Sequence, residues 1–238
     1  MGWLELLSGS VTVLADADND TKIQVEESAD EDVIRFDLAG LQMLALQRTS
    51  TGRPRLDFFN DGNSMYLGSL AGEQDNGSYN IAIGNNTLTT NTFGSYNSAF
   101  GSNALAENYS GQYNVAVGVG ALLSNRAGNN NIGIGLGAGS ENVFGGNNIF
   151  IGYEAGSTTS DPTLHSKDNN VMVGYQAGST NTGNANVFLG HQAGKNAVGS
   201  NKLFIENSDS GSPLLYGEFD NDLVRINGDL EVTGNFPS

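Results

Sequence analysis

Short apolar runs recur along the middle of this chain, each preceded by asparagine and followed by glycine. The first clear run is Asn80-Ile-Ala-Ile-Gly84, and the next is Asn97-Ser-Ala-Phe-Gly101. The glycines of successive runs lie 17, 17, 17, 17, 22 and 16 residues apart. Runs of this length that are rich in β-branched residues predict short β-strands. The repeated positions are Asn80, Asn97, Asn114, Asn131, Asn148, Asn170 and Asn186, with Gly84, Gly101, Gly118, Gly135, Gly152, Gly174 and Gly190.

The period restricts the architecture. Helical pairs and propeller blades need about 34–45 residues, so 17 residues are too few. One coil of a β-solenoid fits, with two short strands and two turns stacked at about 4.8 Å per coil. The sequence therefore predicts an all-β fold: a parallel β-solenoid, or β-roll, of about eight coils over residues 64–205.

The apolar runs also predict self-assembly. Ile81-Ala82-Ile83 has no polar residue on either face, which is typical of a strand that is buried on both faces. A thin solenoid has one internal core, so we expect an identical chain to cover the second face, as in a parallel homotrimer. The middle residue grows from Ala82 to Phe150 and Phe188, which predicts wider space on that face, or splayed chains, toward the C-terminus.

The repeated residues have predicted structural roles as well. We expect the asparagines to form a side-chain amide ladder at a turn, where asparagine also tolerates a positive φ. The glycines are expected to form bends that larger residues could not adopt.

The flanks predict β-rich ends. Residues 11–66 alternate polar and apolar positions, as in Thr21–Glu26 and Val33–Leu38. Residues 1–63 are therefore predicted to form a β-rich N-terminal cap or attachment module. Leu41–Gln47 is predicted to be a further strand rather than a helical turn. Residues 206–238 are predicted to be a β-strand connector toward a following stalk or chaperone domain.

Charge is concentrated in these flanks. The formal net charge is −16, yet residues 76–200 contain five acidic and three basic side chains, together with 22 glycines and 22 asparagines. Disorder would not keep asparagine, apolar residues and glycine in phase over so many copies. The acidic balance also argues against a nucleic-acid partner, which needs clustered lysine and arginine. Insertion into a membrane is not expected either, because no long apolar stretch occurs.

Catalytic and metal motifs are weak. Gly133–Gly139 superficially matches a nucleotide-binding loop, but its glycines belong to the repeat and no helix follows. Asp16, Asp18 and Asp20 have calcium-loop spacing, but Thr21 stands where such a loop requires glycine. A solvated acidic turn is the preferred interpretation, and a bound cation is the alternative. No catalytic constellation is evident, so we expect neither an enzyme nor a cofactor.

The recurrent Asn-Φ-Ala-Φ-Gly-x-x-Ala motif resembles the head repeat of YadA-type trimeric autotransporter adhesins. It is also similar to the Gly/Asn-rich repeats of phage and contractile-injection-system tail fibres. The resemblance covers residues 64–205 and implies a left-handed parallel β-roll that trimerises. It further implies a location outside the cell, on a cell surface or in the fibre of a phage-like particle.

Aromatic residues that follow the same period are the candidate binding residues. Tyr79, Tyr96 and Tyr113 precede successive asparagines, while Tyr153, Tyr175 and His191 follow successive glycines and are joined by Glu154, Gln176 and Gln192. Exposed rings beside amides suit sugar or matrix binding, and the alternative is that the rings are structural ladders. The longest coil inserts Thr158–Asp168, with His165 and Lys167, which is a candidate recognition loop.

Two functional hypotheses remain open after these observations. In the first, the chain is the adhesive head of a trimeric fibre that attaches to a cell surface, glycan or matrix. In the second, it is a purely structural spacer of a tail fibre.

Overall fold

The computed structural model describes residues 13–15, 22–25, 34–38, 41–48, 54–58, 62–157 and 166–233. It contains two units, residues 1–64 and 65–238. The described ranges consist of strands, turns and bends without a helix, so none of them holds a helix that could cross a membrane. The all-β prediction is therefore confirmed.

The first unit is an antiparallel sheet in which the strands are ordered as they occur along the chain. Leu41–Gln47 belongs to a strand, as predicted, and not to a helical turn. A register shift lies between Phe36 and Asp37, where the third and fourth strands pair. Proline opens the last strand, an edge position where its missing N–H is tolerated. The strands are β1 (Val13–Ala15), β2 (Lys22–Val25), β3 (Ile34–Leu38), β4 (Leu41–Arg48) and β5 (Pro54–Phe58).

The second unit is the predicted parallel β-solenoid of about eight turns with a 17-residue period. Nine strands, β6 to β14, pair in parallel, and a hairpin of β15 and β16 continues the same sheet in antiparallel fashion. The parallel strands are β6 (Met65–Leu67), β7 (Ile81–Ile83), β8 (Ser98–Phe100), β9 (Val115–Val117), β10 (Ile132–Ile134), β11 (Ile149–Ile151), β12 (Val171–Val173), β13 (Val187–Leu189) and β14 (Lys202–Ile205). The hairpin strands are β15 (Leu215–Glu218) and β16 (Leu223–Ile226).

Each described coil contains one strand, where two had been expected. The opposite wall consists of turns, because residues such as Asn103 and Leu105 have φ of 59° and 50° there, which extended strands cannot accommodate. Backbone hydrogen bonds still join this wall from coil to coil. The amide of Leu105 donates to the carbonyl of Ala121 at 3.0 Å, for example.

The middle residue of each strand from β7 to β13 lies in the chain's own core. Ala99 is fully buried, whereas Phe100 beside it is 36% exposed. The prediction that the larger middle residues need wider space between chains, or splayed chains, is therefore wrong. Their space comes from inside the coil.

A second core position, six residues after each strand centre, compensates for the size of the first. Where the strand centre is alanine, the second position is a buried leucine, as in Ala99 and Leu105. Where the strand centre is large, the second position is glycine, and a Cβ on Gly156 would lie 2.2 Å from the ring of Phe150. The pairs are Tyr66/Gly72, Ala82/Leu88, Ala99/Leu105, Ala116/Leu122, Gly133/Gly139, Phe150/Gly156, Met172/Gly178 and Phe188/Gly194.

One coil joins the two kinds of pair. It has glycine at both positions, Gly133 and Gly139. A Cβ on Gly139 would lie 2.4 Å from Phe150 and 2.8 Å from Leu122, so the side chains of both neighbouring coils occupy its core. The change from leucine-filled to aromatic-filled coils thus occurs without a void.

The asparagines form the predicted ladder, and all seven are fully buried. The Oδ1 of Asn97 accepts the backbone N–H of Asn114 at 3.0 Å, and its Nδ2 donates to the carbonyl of Gly111 at 2.9 Å. The positive φ predicted for these residues lies one position earlier, as at Tyr79 and Asn130, with φ of 59° and 58°. The ladder asparagines are therefore fixed by hydrogen bonds between coils rather than by a left-handed turn.

Exchange of one size-compensating pair tests the core arrangement. Ala99→Phe alone should destabilise the protein by about 1–3 kcal/mol through overpacking, and Leu105→Gly alone by about 2–5 kcal/mol through a cavity. The double variant recreates the pair seen at Phe150 and Gly156, so we expect it to recover at least about 1 kcal/mol relative to additivity. Urea unfolding of all four proteins measures this coupling. Strict additivity would contradict the pairing.

Candidate functional site

Three of the predicted aromatic residues form one exposed column. Tyr153, Tyr175 and His191 stack with ring centroids 5.1 Å apart and planes within 10° of parallel. Each of them directly follows the repeat glycine of its coil, where φ near 130° turns the chain out of the strand. Tyr153 and Tyr175 are 40% and 43% exposed. The solenoid repeat thus sets both the spacing and the exposure of these rings.

A polar column lies next to the rings. The Nε2 of Gln176 donates to Oε2 of Glu154 at 2.8 Å, and the Nε2 of Gln192 donates to Oε1 of Gln176 at 3.0 Å. A hydrogen bond with Glu154, together with its negative charge, raises the pKa of Tyr153. Glu154, Gln176 and Gln192 have φ of 50°, 52° and 56°, a region that is costly for residues other than glycine.

The ladders leave part of each side chain free for a ligand. A glutamine amide has two N–H groups and an oxygen with two lone pairs. Within the ladder Gln176 uses one N–H and one lone pair, so its remaining donor and acceptor can bind hydroxyl groups. The inner ring of Tyr175 has a neighbour on each face, so it offers its edge and hydroxyl to solvent. This arrangement suits hydrogen bonding more than stacking of a sugar face.

The sequence analysis missed the apolar extension of this column. Val119 and Leu136 follow Gly118 and Gly135 in the same way and are 52% and 49% exposed. The signal was available, because the position directly after each repeat glycine changes steadily from small polar to apolar to aromatic. The exposed ridge therefore extends over five coils.

A second tyrosine column lies at the position just before the ladder asparagines. Tyr79, Tyr96 and Tyr113 stack at 5.0 and 5.1 Å, and each has a positive φ near 58°. Phe93 and Tyr109 meet edge to face at 5.3 Å in the same coils. The amide ladder of Asn80, Asn97 and Asn114 beside this column is fully buried, so the column lacks the exposed polar half of the other surface.

Several sequence candidates lie outside the described residues. These include Asp16, Asp18, Asp20 and His165, as well as most of the Thr158–Asp168 insertion. Within the described ranges, no three histidine, aspartate or glutamate side chains are grouped so that they could hold a metal ion.

Lys167 is buried in the core, away from the aromatic column. Its backbone takes the place that glycine has in other coils, and its carbonyl accepts the Nδ2 of Asn148. Its ammonium donates to the carbonyl of Gly156 and lies 5.8 Å from the ring centroid of Phe150. In other coils the equivalent carbonyl accepts a backbone N–H, as Leu105 does from Asn108 at 3.1 Å. Lys167 therefore satisfies a buried carbonyl and is not presented to an external ligand.

Comparison of the chain with known protein families, curated proteins and solved structures found no match.

The buried lysine predicts an unusual dependence of stability on pH. Burial lowers the pKa of Lys167 from 10.5 to about 7, and the charge of Glu141 only partly opposes this shift. The unfolded chain keeps this proton up to a higher pH than the folded chain. Raising the pH from about 7 toward 10 therefore favours the folded state, and below pH 7 the contribution is constant.

Chemical denaturation between pH 6 and 9.5 of the wild type and of Lys167→Met measures this effect. We expect the wild type to gain stability above about pH 7 relative to the variant. A constant difference between the two proteins across this range would show that the lysine is not held in a desolvated site.

Proposed function

We propose that this chain is a non-enzymatic, self-assembling fibre segment that acts as an adhesive head. In this proposal three identical chains associate in parallel outside the cell, on a cell surface or in the fibre of a phage-like particle. The exposed aromatic and amide columns then bind a glycan or matrix ligand. The observation that carries the proposal is the outer face of the solenoid sheet.

This outer face consists of two side chains from each of the nine parallel strands. All of them are apolar except Ser98, and all are half-buried or exposed in the single chain. With about 4.8 Å between strands, the strip is about 38 Å long. Soluble monomers rarely expose contiguous apolar surface on this scale unless it binds something. The strip contains no charge, so it is the surface on which acidic chains could meet without repulsion.

An identical chain is the partner that fits this strip best. Its side chains form ridges with the spacing of the coils, and the same strip on a second copy offers grooves with that spacing along its whole length. Closed symmetric assemblies are the usual result when identical faces associate. The number three comes from the resemblance to trimeric adhesin heads and is the quantity to be measured.

A charge on the strip tests the assembly. Ile134 is 38% exposed in the single chain, so Ile134→Asp should leave the fold intact but weaken association by at least about 100-fold, because burying a charge in an apolar interface costs several kcal/mol. Sedimentation and circular dichroism at micromolar concentration measure both effects. Leu136→Asp is the matched control, since Leu136 is 49% exposed and lies on the turn instead of the strip.

Two outcomes would contradict the proposed assembly. The first is a wild-type chain that sediments as a monomer. The second is Ile134→Asp protein that assembles as well as Leu136→Asp protein.

Ligand binding is tested with variants of the two tyrosine columns. We expect the wild-type assembly to bind members of a glycan or matrix array, and Tyr175→Ala to weaken this binding about tenfold. Tyr96→Ala is the matched control, because Tyr96 also lies between two stacked rings and is 49% exposed. Equal loss in both variants would show that the amide-flanked column is not the binding surface.

The purely structural spacer is the second candidate function. The occupied ring faces favour it, because stacked rings also stabilise the solenoid without any ligand. An assembled wild type that binds nothing on the array would support the spacer over the adhesive head.

A further inference from the structure

A pocket of about 590 Å³ opens at the C-terminal end of the solenoid. It lies where the parallel strands stop and the antiparallel β15 begins. Phe204 and Tyr216 line its interior, and Asn196, Asp209 and Ser210 are among the polar residues around it. The volume is within the range of about 300–1,000 Å³ that small-molecule sites occupy.

The pocket exists because the last coil is incomplete. Phe204 is the strand-centre residue of β14 and continues the core column, with its ring 5.3 Å from that of Phe188. In every earlier coil the residue six positions later is the leucine or glycine of a core pair. Here that residue is Ser210, which lies in the segment between β14 and β15 and lines the pocket. The end of the core column is therefore accessible beside Phe204.

The two aromatic rings form one corner of the pocket. Phe204 and Tyr216 have centroids 5.4 Å apart, with planes inclined by 54°. Phe204 is almost buried, with 8% of its surface exposed, so it is held rigidly by the core. Tyr216 is half-buried, with Lys202 and Arg225 at 5.8 and 5.5 Å from its ring centroid, so it supplies most of the ring surface that a ligand can reach.

Polar groups surround these rings, and the lysine charge among them is paired. Lys202 forms an ion pair with Glu218 at 3.0 Å, and Asn196 donates to Asp209 at 2.5 Å across the rim. Hydrogen bonds from Tyr216, Asn221 and Lys202 lower the pKa of Glu218 to about 2, so it stays ionised at neutral pH. The lysine charge is therefore neutralised before any ligand arrives, which disfavours an anionic ligand.

We propose that this pocket binds one unit of a neutral saccharide. A sugar ring has an apolar face of C–H groups, which suits the aromatic corner, and hydroxyl groups around its edge, which suit Asp209, Asn196 and Lys202. The Asp209 carboxylate accepts one hydrogen bond from Asn196 and can accept more, which the hydroxyl groups of a sugar can donate and an apolar ligand cannot. The site is distinct from the aromatic column and would give the chain a second carbohydrate contact.

Saturation-transfer NMR on the full-length chain tests the proposal with glucose, galactose, mannose and N-acetylglucosamine as probes. We expect at least one sugar to bind at millimolar concentration. Asp209→Ala should weaken that binding at least about tenfold, the amount expected from losing hydrogen bonds to a charged group. Asp220→Ala is the matched control, because Asp220 is an exposed carboxylate in the turn of the hairpin and does not line the pocket.

Tyr175→Ala separates this site from the proposed adhesive surface, and we expect it to leave the binding unchanged. The proposal is overturned if none of the four sugars receives saturation, or if Asp209→Ala with an unchanged melting curve binds as the wild type does. It is equally overturned if Tyr175→Ala abolishes the signal, because the sugar would then occupy the aromatic column.

Discussion

The hydrogen bonding of buried asparagine amides between coils is the constraint on which the rest of this solenoid depends. An amide group without water must find partners inside the protein, and leaving it unpaired costs roughly 1–3 kcal/mol. Asn114, for example, accepts the N–H of Asn131 and donates to the carbonyl of Gly128, both on the following coil. One coil alone could not satisfy these groups. Each coil must therefore adopt the path of its neighbour, and the columns of the surface inherit their regular spacing from this requirement.

A second buried ladder, in which the Nδ2 of Asn108 donates to the Oδ1 of Asn91 and the Nδ2 of Asn125 to the Oδ1 of Asn108, needs a different group where it begins. In the first coil Asp75 takes the place of an asparagine and accepts hydrogen bonds from Asn80, Asn91 and the backbone N–H of Gly77. A carboxylate can only accept, so it suits an end where donors point toward it from one side. The ladder thus ends at a side chain that accepts hydrogen bonds from the following coil and has no N–H group of its own to be satisfied. The sequence analysis did not recognise this role, although Asp75 stands sixteen residues before Asn91.

The repeat could be predicted from the sequence because the same residue types recur at a fixed period. The wall of turns opposite the strands could not be predicted in this way. Asparagine, apolar residues and glycine at a fixed period indicate a coil, and Leu41–Gln47 could be identified as a strand from its surroundings. The single strand per coil depends on left-handed residues such as Leu88 and Leu105, which are uncommon at positive φ and give no local signal. Burial of their side chains compensates for this strain. The location of Lys167 in the core could not be predicted from the sequence either, because it depends on the packing of Phe150 and Gly156.

For the candidate surfaces, too, the positions that recur with the period could be predicted from the sequence and the packing geometry could not. The positions of Tyr153, Tyr175 and His191 were predictable from their period, and their amide partners from the adjacent residue. Their stacking geometry could not be predicted. Because the ring faces contact each other, the groups proposed to bind a ligand are the tyrosine hydroxyls and the side-chain amides instead of the ring faces. The C-terminal pocket had no signal in the repeat, because it forms where the repeat ends.

The size compensation between Phe150 and Gly156, or between Ala99 and Leu105, is completed within a single coil. Duplication or deletion of a whole coil other than that of Gly133 and Gly139 would therefore leave each core pair matched, whereas recombination between the two positions of a pair would create a clash or a void. The coil with Gly133 and Gly139 is the position at which a block of leucine-filled coils can be joined to a block of aromatic-filled coils. The number of coils in the solenoid could thus change by unequal crossing-over without redesign of the core.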